Sequence, residues 1–160
     1  MKRIISIATL VFAAATISLG QTDDKKAVLG VVNQLFTEMA AANPQGIVDL
    51  HTGADSQLAA VRKTKDGKVR LDMIGRDGFS KFFTDKTAVI KETMYDPQVI
   101  VDGDWAMVWG RYVFWVGGKV SHCGIDQFNL VRTEAGWKIA NGASTIDPGA
   151  CTEKEKAMKP

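Results

Sequence analysis

Histidine and cysteine are scarce in this 160-residue chain, two of each, and tyrosine is as rare. No Cys-x-x-Cys pair and no cluster of histidine with cysteine occurs, which argues against thioredoxin-like redox chemistry and structural zinc. Scattered carboxylates beside two histidines give no metal-ligand spacing, so neither a metal nor another cofactor is expected. There is also no internal repeat, low-complexity tract or linker, hence one domain. An excess of one charge is missing too: 20 Lys and Arg stand against 18 Asp and Glu, and Lys2 and Arg3 lie in a segment that reads as removable. The remainder is neutral and gives no electrostatic reason to expect nucleic acid or a membrane surface as partner. What the chain does have is apolar side chains, 46% of the total with 24% charged, enough for a sizeable soluble core.

Residues 1–20 read as a signal peptide. Met1-Lys2-Arg3 precedes an apolar run, Ile4 to Leu19, with Ser18 and Gly20 placed for a cut before Gln21. An uncleaved anchor needs a stretch longer and more apolar than this one, which Ala, Ser and Thr dilute. The expected product is an exported chain, periplasmic or extracellular, with one domain over 21–151 and a flexible charged tail over 152–160. In an oxidising compartment Cys123 and Cys151, 28 positions apart, suggest a disulfide that would contribute about 3 kcal/mol. The alternative is two free thiols, with Cys123 a small core residue.

Apolar residues at helical spacing, Ala27, Val31, Val32, Leu35, Phe36 and Met39 among them, predict a helix over 24–42. Asn43-Pro44 ends it, and a short helix over 45–51 follows. A hairpin is expected over 56–63 and 68–73, then a third helix between Arg76 and Asp85. Four strands follow at about 88–101, 104–116, 119–132 and 137–146, joined by Asp102-Gly103, Gly117-Gly118 and Thr133 to Gly136. Helices first and a long antiparallel meander after them describe an α+β domain.

Tight hairpins set which residues face each other. Pairing Val116 with Lys119 puts Trp109 opposite Asp126, Arg111 opposite Gly124 and Val113 opposite His122. Pairing Val101 with Asp104 puts Glu92 opposite Val113, and pairing Arg132 with Trp137 puts Asp126 opposite Ala143. One face then gathers Trp105, Met107, Trp109, Trp115, Phe128, Leu130, Trp137 and Ile139, to pack on the helices. Among them stand Glu92, Arg111, His122, Asp126 and Asn141, which must pair, reach water or line a cavity. With Trp109 and Met107 they describe a mixed small-molecule pocket, in which a carboxylate would raise the His122 pKa. An ion-pair network at the sheet end explains the same residues equally well. The second face, with Val108, Tyr112, Phe114 and Ile125, is too apolar to stay wet and is expected to form a homodimer. His51 either complements a helix C-terminus or lines the cavity mouth. Cys123 falls on this second face, where a turn at Asp147-Pro148-Gly149 brings Cys151 back toward it.

The runs Val101-Asp102-Gly103-Asp104-Trp105-Ala106-Met107-Val108-Trp109-Gly110-Arg111-Tyr112 and Ser121-His122-Cys123-Gly124-Ile125-Asp126-Gln127-Phe128-Asn129-Leu130-Val131 resemble the nuclear transport factor 2-like (SnoaL-like) superfamily. The closing Gly136-Trp137-Lys138-Ile139-Ala140 does so too, and the likeness extends to a secreted bacterial branch named for lumazine binding. The resemblance implies a cone-shaped, cystatin-like fold in which a curved antiparallel sheet wraps three N-terminal helices around a cavity, with dimers through the sheet. It does not carry a reaction across: the superfamily's isomerases have a tyrosine on the first helix, where this chain has Leu35 and Phe36. Three functions compete on the sequence. One is a non-catalytic binder of a small molecule. Another is an isomerase, lyase or cyclase in which His122 with Glu92 or Asp126 moves a proton while Arg111 steadies an anion. The third is a structural dimerisation module.

Overall fold

In the computed structural model, which describes residues 13–64 and 66–160 with side chains from Thr22 onward, helix α1 runs Ala13–Ala40. Residues 1–12, and with them most of the expected signal peptide, lie outside the described residues. Val28, Val32, Leu35, Phe36 and Met39 recur every three or four positions on one face of α1 and are all buried. Asn43 then caps α2 (Pro44–Asp49), its side chain accepting from the Gly46 amide at 3.2 Å while Pro44 opens the helix. Strands β1 (Gln57–Lys63) and β2 (Val69–Gly75) form the expected hairpin, and α3 spans only Arg76–Ser80, shorter than its phenylalanine spacing suggested. The meander is β3 (Ile90–Asp102), β4 (Trp105–Val116), β5 (Lys119–Thr133) and β6 (Gly136–Ile146).

The six strands make one curved sheet in the order β2-β1-β6-β5-β4-β3. It is mixed rather than wholly antiparallel, because β1 runs parallel to β6. The helices cover its inner face, where Ala106, Val108, Met94, Phe128, Leu130, Trp137 and Ile139 meet the buried stripe of α1. Arg132 ties that face to α1: its guanidinium lies 2.7 Å from Asp24 and 3.1 Å from Asp104, over the ring of Trp137.

Three local departures from regular pairing decide which side chains face inward. Val116 pairs with Lys119 and Trp115 with Val120 as the Gly117-Gly118 turn requires, but Phe114 then pairs with His122, leaving Ser121 as an extra residue. The β3–β4 loop is Gly103-Asp104, with Gly103 at φ 57°, so Asp102 pairs with Trp105; a further shift at Asp96-Pro97 brings Glu92 opposite Phe114. On β6 the pairing slips at Ala140, and Asp126 faces Ser144 instead of Ala143. As a result β4 is turned over relative to the sequence expectation. Val108, Tyr112 and Phe114, expected on a dimer face, point to the helices, and Trp105, Met107, Trp109 and Arg111 point away from them.

The outer face is partly covered by the C-terminus, expected as a flexible tail. Cys123 and Cys151 are bonded, with Cα atoms 5.1 Å apart, and pack with the buried Val113 and Trp115. Beyond them a one-turn helix, α4 (Glu153–Lys156), is closed by a capping box between Thr152 and Glu155. Glu155 is 1% exposed and receives Arg111 Nε at 2.6 Å and a second guanidinium nitrogen at 3.0 Å. Arg111 also donates to the Tyr95 hydroxyl and the Ala150 carbonyl, so its charge fastens the chain end. Removing one partner of a buried pair costs about 3–5 kcal/mol. Because Arg111 keeps 35% of its side chain exposed, Glu155→Ala is expected to lower unfolding stability by a smaller amount, about 2 kcal/mol. Urea melts of the disulfide-intact protein measure it.

Candidate functional site

Strand pairing sets Glu92, Phe114 and His122 side by side across β3, β4 and β5 on the inner face. Two inner-face positions along, Asp126 lies beside Ser144 of β6, and Tyr112 projects between the two rows. On the helical side Leu35, Phe36 and Met39 of α1 face them, with Phe79, Phe82 and Phe83 of α3 and the chain after it. The space between is a cavity of about 260 Å³ whose wall also includes Phe128 and, from β1, Ala60 and Arg62. Its lining is mostly apolar with one polar corner, the usual character of a small-molecule site.

The polar corner is built around two acids. Asp126 is 1% exposed; the Ser144 hydroxyl donates to its Oδ1 at 2.5 Å, while Oδ2 meets no N–H or O–H donor. The neighbour within hydrogen-bonding reach is the Glu92 carboxyl. Burial, and after it the charge of Asp126, pushes the Glu92 carboxyl well above its ordinary range. Burial likewise pushes Asp126 up to about 6, against the lowering effect of its bonds to Glu92 and Ser144.

Tyr112 and His122 complete the corner in neutral form. Burial and then the two acids push the Tyr112 phenol upward, and its hydroxyl donates to the Thr145 carbonyl at 2.9 Å. That carbonyl sits so close over β5 that a Cβ on Gly124 would stand 1.8 Å from it, which reserves the position for glycine. His122 stacks on Phe114 with ring centroids 4.8 Å apart and meets Tyr112 edge-on. Its pKa is not raised by a carboxylate, as the sequence suggested. Burial, and secondarily the Arg62 charge, lowers it to about 4. Arg62 itself is bonded to Asp72 at 3.1 Å.

Of the residues singled out from sequence, Glu92, His122 and Asp126 therefore share the cavity wall, and the others lie elsewhere. Trp109 and Met107 are on the outer face, and Arg111 is committed to Glu155. Asn141 joins an outer-face amide ladder, accepting from Asn129, which in turn accepts from Gln127. His51 is buried behind α2, its Nδ1 2.8 Å from the Ile47 carbonyl, and burial lowers its pKa, so it neither lines the cavity nor acts as a cationic helix cap. Tyr112, Phe114, Ser144 and Arg62 were not foreseen there. Among the described residues no group of three or more His, Cys, Asp or Glu side chains is placed to hold a metal ion.

Neither the known protein-family models nor the curated proteins contain a match to this sequence. Solved structures do match. A nuclear transport factor 2-like protein with a cystatin-like fold from Novosphingobium aromaticivorans superposes with a TM-score of 0.67 at 14% identity, over 92% of this chain and 97% of that one. A protein of unknown function from Mycobacterium tuberculosis gives 0.68 at 17% identity, over 91% and 87%. One described as a dehydratase candidate of the same family, from Streptomyces avermitilis, gives 0.60 at 18%, over 79% and 98%. The chain thus has the nuclear transport factor 2-like, cystatin-like fold.

The acid pair leaves a signature in stability. A carboxyl whose folded pKa is raised contributes stability at low pH that is lost as pH rises through the folded value. For Asp126, raised from 3.8 to about 6, the loss is complete above neutrality and amounts to about 3 kcal/mol. Asp126→Asn, which keeps the acceptor for Ser144, is expected to stabilise the protein by up to that amount at pH 8. The gain should vanish below pH ~4, as thermal melts across the pH range will show.

Proposed function

We propose that the protein binds a compact, largely apolar small molecule in the inner cavity and holds its one polar group at the Glu92–Asp126 pair. The observation that carries this reading is the buried Asp126 Oδ2, left without a donor in the polar corner of a mostly apolar hollow. An unsatisfied buried acceptor is expensive unless something supplies its hydrogen bond, and here the space beside it is large enough for a ligand. Export is part of the proposal. It is supported by the charged start and apolar run of residues 1–20 and by the Cys123–Cys151 bond. Among the described residues no helix is long and apolar enough to cross a membrane.

A second reading, proton-transfer catalysis of the isomerase, lyase or cyclase kind, is favoured by the Asp126 pKa near 6, which suits a general base at neutral pH. In it the acid pair, rather than His122, moves the proton. A second copy of the chain is the proposed partner. It would cover the outer sheet face, where Leu71, Met73, Trp105 and Trp109 are 40–60% exposed.

Titration with p-cresol, a neutral ring bearing one hydroxyl, tests the binding reading by chemical-shift perturbation. Saturable shifts at Phe114, Phe128 and Tyr112 are expected, with affinity reduced at least about tenfold in Ala60→Phe, which fills the cavity. Absence of saturation at any cavity residue counts against the proposal. Solvent deuterium appearing in a bound carbonyl compound, and lost in Asp126→Asn, would favour the catalytic reading. The dimer is tested separately by sedimentation: Trp109→Lys is expected to shift the protein to a monomer.

A further inference from the structure

The cavity joins two features that together select a kind of ligand: phenylalanine rings on several sides, and a polar corner built around two buried acids. Phe36, Phe79, Phe82, Phe83, Phe114 and Phe128 all contribute to the wall. In the corner, the Ser144 hydroxyl is engaged with Asp126 Oδ1 and the Tyr112 hydroxyl with the Thr145 carbonyl. What remains open is Asp126 Oδ2, on a side chain 99% buried, together with the Glu92 carboxyl beside it. We propose that the ligand is an organic cation, a compact arylalkyl amine whose ammonium group sits on Glu92 and Asp126 while its ring lies among the phenylalanines. The inference rests on the small-molecule reading above and narrows it to a ligand class.

An ammonium brings donors and no acceptor, the complement of this corner. It also brings a positive charge to two acids whose burial and mutual repulsion disfavour ionisation, so that both carboxylates gain a partner. Aromatic faces attract a desolvated cation, which makes the phenylalanine wall favourable to the charge and not merely to the apolar body. A carboxylate ligand would be repelled by the two acids, an effect that the Arg62 charge, already paired with Asp72, does not outweigh. The other charged or titratable groups lining the cavity do not oppose the cation strongly. His122 and Tyr112 are neutral near pH 7, and Arg62 is paired with Asp72 and keeps 48% of its side chain in solvent.

Calorimetric titration of the protein with benzylamine, benzyl alcohol and benzoate tests the assignment, since the three share a ring and differ in the charge of the polar group. Benzylamine is expected to bind at least about tenfold tighter than benzyl alcohol at pH 7, the ratio of a charge-assisted to a neutral hydrogen bond. Benzoate should not bind. Because ammonium and proton compete for one acid pair, benzylamine affinity should rise from pH 5 to pH 7. Glu92→Gln and Asp126→Asn, isosteric and without buried charge, should each abolish the preference for amine over alcohol while still binding the alcohol. If the alcohol or benzoate binds as tightly as the amine, or amine affinity falls over that pH range, the cation is overturned and the small-molecule reading stands. If none of the three binds, both are overturned.

Discussion

With Ser121 inserted between two otherwise regular stretches of β5, the pleat of that strand advances by one residue, and everything on the inner face follows from the new phase. His122 and Asp126 are thereby brought to the same side as Tyr112 and Phe114 of β4, and the tryptophans of β4 go to the other side. Because a one-residue shift exchanges the two faces of a strand, the insertion acts as a binary selector. Its companions at Asp96-Pro97 and Ala140 bring β3 and β6 into the same phase, so that Glu92 and Ser144 complete the corner.

Burial then does the chemistry. The same wall that excludes water from Asp126 and Glu92 makes a second negative charge there unfavourable, and both carboxyls are pushed above their ordinary range. The same exclusion keeps His122 neutral and Tyr112 protonated. These four groups, ordinary in composition, acquire their character from a shared dry corner. The fold contributes the hollow, and specific residues contribute its polar corner, so the likeness to other proteins of the same architecture does not extend to what they act on.

Much of the architecture is legible in the sequence. The helix stripe around Val32 and Leu35, the Asn43-Pro44 boundary and the glycine turns announce themselves through local chemistry, whereas the Cys123–Cys151 bond follows from the even cysteine count only with an oxidising compartment, two free thiols being the alternative. The trio Glu92, His122 and Asp126 was also grouped from sequence, for an instructive reason: the pairing of β3 with β4 and that of β5 with β4 were each one residue off in the same sense. The two shifts cancel between the outer strands, while β4 in the middle inverts. Trp109, Met107 and Arg111 were misplaced by that inversion, and no composition or spacing signals a bulge at Ser121. Arg111 shows a second limit. Its partner, Glu155, lies in a segment that reads as a charged tail, and only the tertiary contact reveals that α4 docks.

The docked C-terminus also marks one side of the sheet. Cys151 and α4 lie against Val113, Trp115 and Cys123, across the sheet from the cavity. A dye, affinity handle or immobilising surface joined near Pro160 therefore projects from the side of the sheet opposite the cavity, where it would crowd any face-to-face association of two sheets. The end of the chain is thus a vantage from which occupancy of the interior and assembly of the exterior can be watched independently.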